Sequence, residues 1–293
     1  MQIVNELRLK QPWSEVGKTR LIRVSTGIYA KLETENPTGS IKDRPTQYIV
    51  KKALASGEIV RATTLVEASS GNTGISLCAI GASLGLPVKI IMPMNMSEER
   101  KQMMRLFGAT IIDAPPSDFL TAIQMRDDLV GTAKNHWSPM QFENPMNIQC
   151  HRETTAREIF EQLPKNTKLD SFFSGAGSGG TLMGFREACL ERHVHPKYML
   201  VVPEEPSSEH GIQGINDGAD FLVNRNLMDD IHHIKTSHAI KRAKDFAKSH
   251  GVLVGISSGA NLLAAENYVK KNDPPGVVVT ILCDRGERYL SVF

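Results

Sequence analysis

The stretch Thr63-Thr64-Leu65-Val66-Glu67-Ala68-Ser69-Ser70-Gly71-Asn72-Thr73-Gly74-Ile75-Ser76-Leu77-Cys78-Ala79-Ile80-Gly81-Ala82-Ser83-Leu84 runs from a β-branched apolar segment, through a loop of serines, glycines and an asparagine, into an apolar run of helical period. Residues 63–67 predict a strand and residues 75–84 a helix, since β-branched residues suit a pleated surface and long apolar periodic runs suit a buried helix. Residues 88–92 predict the next strand. Strand, helix and strand in that order make a crossover unit whose two strands lie parallel.

Outward from this unit the same alternation continues. Further strands are predicted over 110–112, 171–174, 199–203, 252–256 and 277–283, and helices over 97–107, 119–129, 154–163, 182–192, 237–249 and 261–271. Near-continuous apolar strands separated by helices imply parallel sheets covered on both faces, so the fold class is α/β. The polar, turn-rich segment 141–147 predicts a crossing between two α/β halves. In such sheets ligands bind beyond the carboxyl ends of the strands, which directs attention to the loops that follow them.

Composition narrows the function classes. The 293 residues are 41% hydrophobic and 23% charged, with a formal net charge of +2. So small a charge gives no argument for nucleic acid or an anionic membrane as partner. Residues 1–10 mix charge into every turn and predict no signal peptide. Apolar runs such as 88–94, interrupted by Lys89, are too short to span a bilayer. Cys78, Cys150, Cys189 and Cys283 form no CxxC pair and read as reduced thiols of a cytoplasmic protein. His232-His233 and His193-x-His195 read as polar surface, and no metal site is expected.

One lysine has unusual company: Asn36-Pro37-Thr38-Gly39-Ser40-Ile41-Lys42-Asp43-Arg44. Most lysines are hydrated surface charges. Lys42 instead follows a Pro-Thr-Gly turn signal and the extended stretch 28–33, and it opens the helix-like run 45–54. Held at a strand-to-helix junction near backbone N–H groups, a lysine can have its pKa lowered enough to act as an amine nucleophile. Carbonyl cofactors such as pyridoxal phosphate need that chemistry.

Three loops after predicted strands carry further chemistry. In Glu67-Ala68-Ser69-Ser70-Gly71-Asn72-Thr73-Gly74, hydroxyls and an amide at a helix N-terminus make a carboxylate site; the plainer alternative is an ordinary helix cap. In Ser174-Gly175-Ala176-Gly177-Ser178-Gly179-Gly180-Thr181, glycines let the backbone close around a phosphate at a helix start. Its match to GxGxxG is weak evidence for a dinucleotide, and no lysine follows Gly180 as a nucleoside-triphosphate loop requires. Gly255-Ile256-Ser257-Ser258-Gly259-Ala260-Asn261 again joins strand to helix and reads, alone, as a serine-capped helix.

In this order, NPTGSIKDR, SSGNTG, GSGGT and GISSGAN resemble the fold-type II pyridoxal-phosphate enzymes, specifically the cysteine synthase (O-acetylserine sulfhydrylase) family. The resemblance spans nearly all of the chain, and Cys283-Asp284-Arg285-Gly286 is closer to the isozyme B branch. It implies a two-domain, tryptophan synthase β-like fold, each domain a mainly parallel sheet flanked by helices. Residues 37–141 would form a smaller, mobile, carboxylate-binding domain, and 1–36 with 142–293 a larger, phosphate-binding one.

By the same resemblance Lys42 holds the cofactor in Schiff-base linkage and then removes the substrate α-proton. Asn72 bonds the 3′-oxygen of the pyridine ring. Ser69, Ser70, Asn72, Thr73 and Gln141 bind the substrate α-carboxylate. Gly177, Ser178, Gly179, Gly180 and Thr181 hold the cofactor phosphate, and Ser257 faces the pyridine nitrogen. A neutral serine there leaves the ring a weaker electron sink than a carboxylate would, which suits β-elimination. The implied reaction is β-replacement of O-acetyl-L-serine by sulfide, or another sulfur donor, through an α-aminoacrylate to give L-cysteine.

Related activities within the fold are O-phosphoserine sulfhydrylase and a cystathionine β-synthase-like replacement; a catalytically inactive regulatory homologue is the reading from another class. The acidic loop 204–210 favours the acetyl over the phosphate ester. A homodimer is implied, while a complex with serine acetyltransferase has no support in the sequence. Ser69 and Ser178 stand where the family often has threonine, Thr155-Ala156-Arg157 replaces a common Thr-Gly-Pro, and the chain ends soon after Arg288-Tyr289-Leu290-Ser291.

Overall fold

The computed structural model describes residues 7–206, 209–215 and 220–293. Parts of the amino-terminal stretch 1–10 and of the acidic loop 204–210 therefore lie outside the described residues. The chain divides into two compact units, one formed by the residues up to Val16 with Lys42–Asn144, the other by Gly17–Ile41 with Pro145–Phe293.

The second unit begins first in the chain, with the antiparallel pair β1 (Leu21–Ser25) and β2 (Ile28–Leu32). The chain then enters the first unit through α1 (Asp43–Ser56), β3 (Thr64–Ala68), α2 (Asn72–Leu84), β4 (Val88–Pro93), α3 (Glu98–Leu106), β5 (Thr110–Ala114), α4 (Phe119–Thr132) and β6 (His136–Trp137). It returns to the second through α5 (Met146–His151), α6 (Arg157–Gln162), β7 (Leu169–Gly175), α7 (Gly180–Glu191), β8 (Lys197–Pro203), β9 (Asp230–Ile234), α8 (Thr236–His250), α9 (Ile256–Asn272) and β10 (Val277–Leu282).

In the first unit the sheet order is β5-β4-β3-β6, all parallel. Every residue of β3 is buried, as expected of a central strand covered on both faces. Its core gathers Leu65, Ile75, Leu77, Ile80, Val88, Ile90 and Met104, and Trp13 joins them from the amino-terminal segment. The helix α1 secures that segment through the Gln47 side-chain amide, which donates to the carbonyl of Trp13 at 3.0 Å.

The second unit holds a six-stranded sheet, β1-β2-β10-β7-β8-β9, parallel except for β1 against β2. Alternation along its strands feeds two cores. Phe173, Val201 and Val278 pack with α8 and α9 on one face, and Phe172, Leu200 and Val279 pack with α6 and α7 on the other.

Two expectations differ from the structure. Residues 252–256 form no strand beyond a single bridge from Val254 to Arg285, because β10 already has β2 and β7 on its two sides, and Ile256 opens α9. The helix expected over 154–163 is longer and irregular: α5 continues through a π turn at Arg152–Ala156 into α6. That wide turn includes Thr155-Ala156, part of the sequence departure noted above. The strands β1, β6 and β9 escape sequence reading, since Leu21–Ser25 and Asp230–Ile234 carry charge and β6 is two residues long.

Candidate active site

In the first unit Lys42 occupies the N-cap position of α1, its carbonyl accepting the amide of Thr46 at 3.2 Å. The lysine is half-buried, while Asp43 and Arg44 beside it are buried. Asp43 accepts a short hydrogen bond from the Ser76 hydroxyl, one turn into α2. This bond brings the amino end of α2 alongside that of α1, and with it the serine-glycine loop.

Within that loop Ser69 is buried, and its Oγ accepts the amides of Gly71 at 3.2 Å and Gly74 at 2.9 Å. It thereby satisfies donors at the start of α2 that the helix itself leaves open. The Ser69 oxygen caps the helix, and a hydroxyl that accepts can still donate its proton. Asn72 starts the helix half-buried, and Thr73 follows it buried. The Thr73 hydroxyl donates to Gln141 Oε1 at 2.5 Å, while Gln141 Nε2 donates to the carbonyl of Ala68 at 3.3 Å. Gln141, distant in sequence, thus meets Ser69 and Thr73 at one helix N-terminus. Arg100 of α3 lies beside Gly71, where a Cβ would stand 3.1 Å from its Nε, and its guanidinium reaches the Ser70 carbonyl at 3.5 Å.

Behind this cluster lies an ion pair that sequence reading missed. Glu67, at the end of β3 and fully buried, accepts the amide of Ala68 at 2.9 Å, the amide of Gln141 at 3.2 Å and Nη1 of Arg126 at 3.3 Å. Burial pushes the Glu67 carboxyl up to about 7, against the opposing pull of Arg126 and of the two amides. Arg126, buried on α4, also meets Asp127 at 2.7 Å and Glu143 at 3.3 Å. A lone glutamate in an apolar strand was the available signal.

In the second unit, the loop from β7 to α7 is built for close approach. Gly179 has φ +93°, and a Cβ there would lie 2.5 Å from the amide nitrogen of Val223; at Gly177 it would lie 2.4 Å from the carbonyl oxygen of Gly214. Ser178 Oγ accepts Nδ2 of Asn147 at 3.0 Å, and its carbonyl accepts the amide of Leu222 at 2.8 Å. The Thr181 hydroxyl lies 3.3 Å from Nε2 of His151, whose Nδ1 is 2.9 Å from the Thr155 hydroxyl. Asn147 and His151 sit one turn apart on α5, a spacing the sequence displays without revealing what they face. Glycine-lined backbone at the start of a twelve-residue helix, with no carboxylate from Gly175 to Thr181, fits a phosphate group.

Ser257 lies buried in the first turn of α9. Its neighbour Ser258 accepts the amide of Cys283 at 2.8 Å, and Gly255 donates to the carbonyl of Asp284 at 3.0 Å. Asn261 ties the same turn to β7 and β10, accepting the amide of Gly175 at 2.8 Å and donating to the carbonyl of Ile281 at 3.0 Å. The Tyr289 hydroxyl donates to Asp284 at 2.6 Å, holding the last turn of the chain against this region.

Residues 13–284 match the family model described as pyridoxal-phosphate dependent enzyme. A protein of Campylobacter jejuni named cysteine synthase B is 39% identical over 290 residues, covering 94% of this chain and 95% of that protein. The structure of an O-acetylserine dependent cystathionine beta-synthase from Helicobacter pylori superposes with TM-score 0.88 at 33% identity, covering 99% of this chain and 98% of the other. A hydrogen sulfide-producing enzyme from Fusobacterium nucleatum superposes with TM-score 0.87 at 35% identity, covering 95% and 98% respectively.

Proposed function

The chain belongs to the pyridoxal-phosphate dependent enzyme family, among the cysteine synthases and their relatives, and from that premise we propose that it makes L-cysteine from O-acetyl-L-serine and sulfide. The observation that carries the reading is the junction of Ser69, Thr73 and Gln141 at the amino end of α2, a carboxylate site beside the helix that Lys42 opens.

Pyridoxal phosphate, when bound, supplies an electron sink for the bond-breaking at the substrate α-carbon. Lys42 would supply the amine that holds the cofactor by its aldehyde, and the same amine would take the substrate α-proton. Gly177, Ser178, Gly179, Gly180 and Thr181 would hold the phosphate through backbone amides and the α7 dipole. Asn72 would hold the ring 3′-oxygen, and Ser257 would serve the ring nitrogen as a neutral partner. Ser69, Ser70, Asn72, Thr73 and Gln141 orient the amino acid by its carboxylate. Orienting that group would fix which bond of the α-carbon faces Lys42 and so which proton is lost.

A second reading has a specific support: the Helicobacter pylori enzyme, whose description names O-acetylserine dependent cystathionine synthesis, matches 99% of this chain. In that reading the acceptor is a larger thiol in place of sulfide. We further propose that the protein works as a homodimer in the cytoplasm. Among the described residues no helix is long and apolar enough to cross a membrane.

The test is spectroscopic and then chemical. Purified protein should be yellow, absorbing near ~410 nm, with the cofactor carried on Lys42 and trapped there by borohydride for peptide mass analysis. O-acetylserine should shift the band, and sulfide should restore it as cysteine appears. A colourless protein that takes up no pyridoxal phosphate would sink the enzyme reading. A shift with O-phosphoserine and none with O-acetylserine would replace the ester, and restoration by homocysteine alone would replace the acceptor.

A further inference from the structure

We propose that Glu67, held by Arg126, is the positioning residue that sets the substrate-carboxylate site by clamping its two strands of sequence together. The proposal rests on the carboxylate-site reading given above. Its observation is a closed ring of hydrogen bonds. Glu67 Oε1 accepts the amide of Ala68, the residue before Ser69, and Oε2 accepts the amide of Gln141. Gln141 returns the connection, its Nε2 donating to the Ala68 carbonyl and its Oε1 accepting from Thr73. Each segment that brings a carboxylate-binding side chain is thus tied by its backbone to one buried carboxylate.

The chemistry of the ring requires a carboxylate. Both oxygens face N–H donors: Ala68 and Arg126 on Oε1, Gln141 on Oε2. A glutamine would place its NH2 against one of these donors whichever way it turned. Burying such a mismatch costs more than a hydrogen bond gains, so the loop would shift to relieve it. Glu67 itself is fully buried against Arg126, and it acts on the substrate site only through Ala68 and Gln141. The charged groups around it are Arg126 directly, with Asp127 and Glu143 beyond that guanidinium.

This arrangement sets substrate binding against comfort in the fold. Protonating the carboxyl removes an acceptor from one donor and weakens the pair with Arg126, so the ionised form braces the site. Binding should therefore weaken as pH falls through the neutral range. If Glu67 instead acted by repelling the substrate carboxylate, the sign would be the reverse.

The experiment is to measure KM for O-acetylserine, kcat and the cofactor spectrum of wild-type holoenzyme and Glu67→Gln between pH 6 and 8. The expected result is a KM raised roughly tenfold at pH 8, the loss of about one hydrogen bond to a charged group, with cofactor content and kcat little changed. Wild-type KM should rise toward pH 6 more steeply than that of the variant. A folded Glu67→Gln with wild-type KM, or pH profiles of the same shape, would overturn the proposal. Should Glu67→Gln not fold, Glu67→Asp keeps both acceptors one methylene short, and the same KM comparison decides. If wild-type enzyme does not use O-acetylserine, the reaction reading fails separately. The positioning role is then read from the Kd for L-serine, followed by the cofactor band, in wild type and variant.

Discussion

Arg288, buried near the end of the chain, donates through Nη1 to the carbonyl oxygen of Gly39 at 3.2 Å, three residues ahead of Lys42. Its Nη2 reaches the carbonyl of Thr38, and Arg285 Nε donates to that of Thr34 at 2.8 Å. The backbone joins in, with Ile41 donating to the carbonyl of Cys283 at 2.8 Å. The segment 283–288 is therefore a clasp on the loop that leads into Lys42.

Removing the clasp should be costly. Arg288→Ala is expected to lower stability by about 2–3 kcal/mol, since charge-assisted bonds to buried carbonyls are lost, and to slow turnover more than it weakens phosphate binding. Gly39→Ala adds a Cβ 2.7 Å from Arg285 Cδ at φ +82° and should be comparably harmful. Chemical denaturation with parallel kinetics checks both; wild-type turnover in Arg288→Ala would show that the clasp does not act on Lys42.

The phosphate cradle has its own sensitivity. Gly179→Ala combines a left-handed backbone with a Cβ 2.5 Å from the Val223 amide, so the loop must open. Strain of about 1–2 kcal/mol at such a position predicts roughly tenfold weaker uptake of pyridoxal phosphate by apoenzyme. Fluorescence titration reads this directly, and unchanged affinity would place the phosphate elsewhere.

The Thr73–Gln141 bond at 2.5 Å predicts strong coupling. Thr73→Val and Gln141→Leu should each raise KM for the amino-acid substrate by roughly tenfold, and the double variant should cost clearly less than the product. Simple multiplication of the two effects would mean that they bind substrate independently.

Glu67 links the site to the pH dependence of stability. Its carboxyl is raised from an ordinary 4.5 to about 7, so the folded state keeps a proton that the unfolded chain releases. The stability this lends is complete below pH 4.5 and is lost as pH rises through about 7. Wild-type unfolding free energy should therefore fall between pH 5 and 7 by on the order of 2 kcal/mol more than that of Glu67→Gln. Parallel stability curves would show that Glu67 titrates normally.

Local sequence determined the elements whose reasons are local. β3, α2 and β4 follow from apolar runs broken by a Ser-Gly-Asn loop, and the loops that open α2 and α7 were visible as strand-to-helix turns. Lys42 stood out by its neighbours alone. Charged strands such as β9 were hidden because sheet pairing, which the local pattern does not contain, decides them.

Tertiary structure decided the partnerships. That Gln141 arrives beside Thr73, and that Glu67 and Ala68 hold it there, depends on contacts between residues some seventy positions apart. Hydrogen-bond geometry and burial act between whatever the chain folding brings within about 3 Å, irrespective of distance along the sequence. The sequence determined which chemical groups the loop from Thr63 to Leu84 would present; only packing decided which of them serve the fold and which remain to meet a substrate.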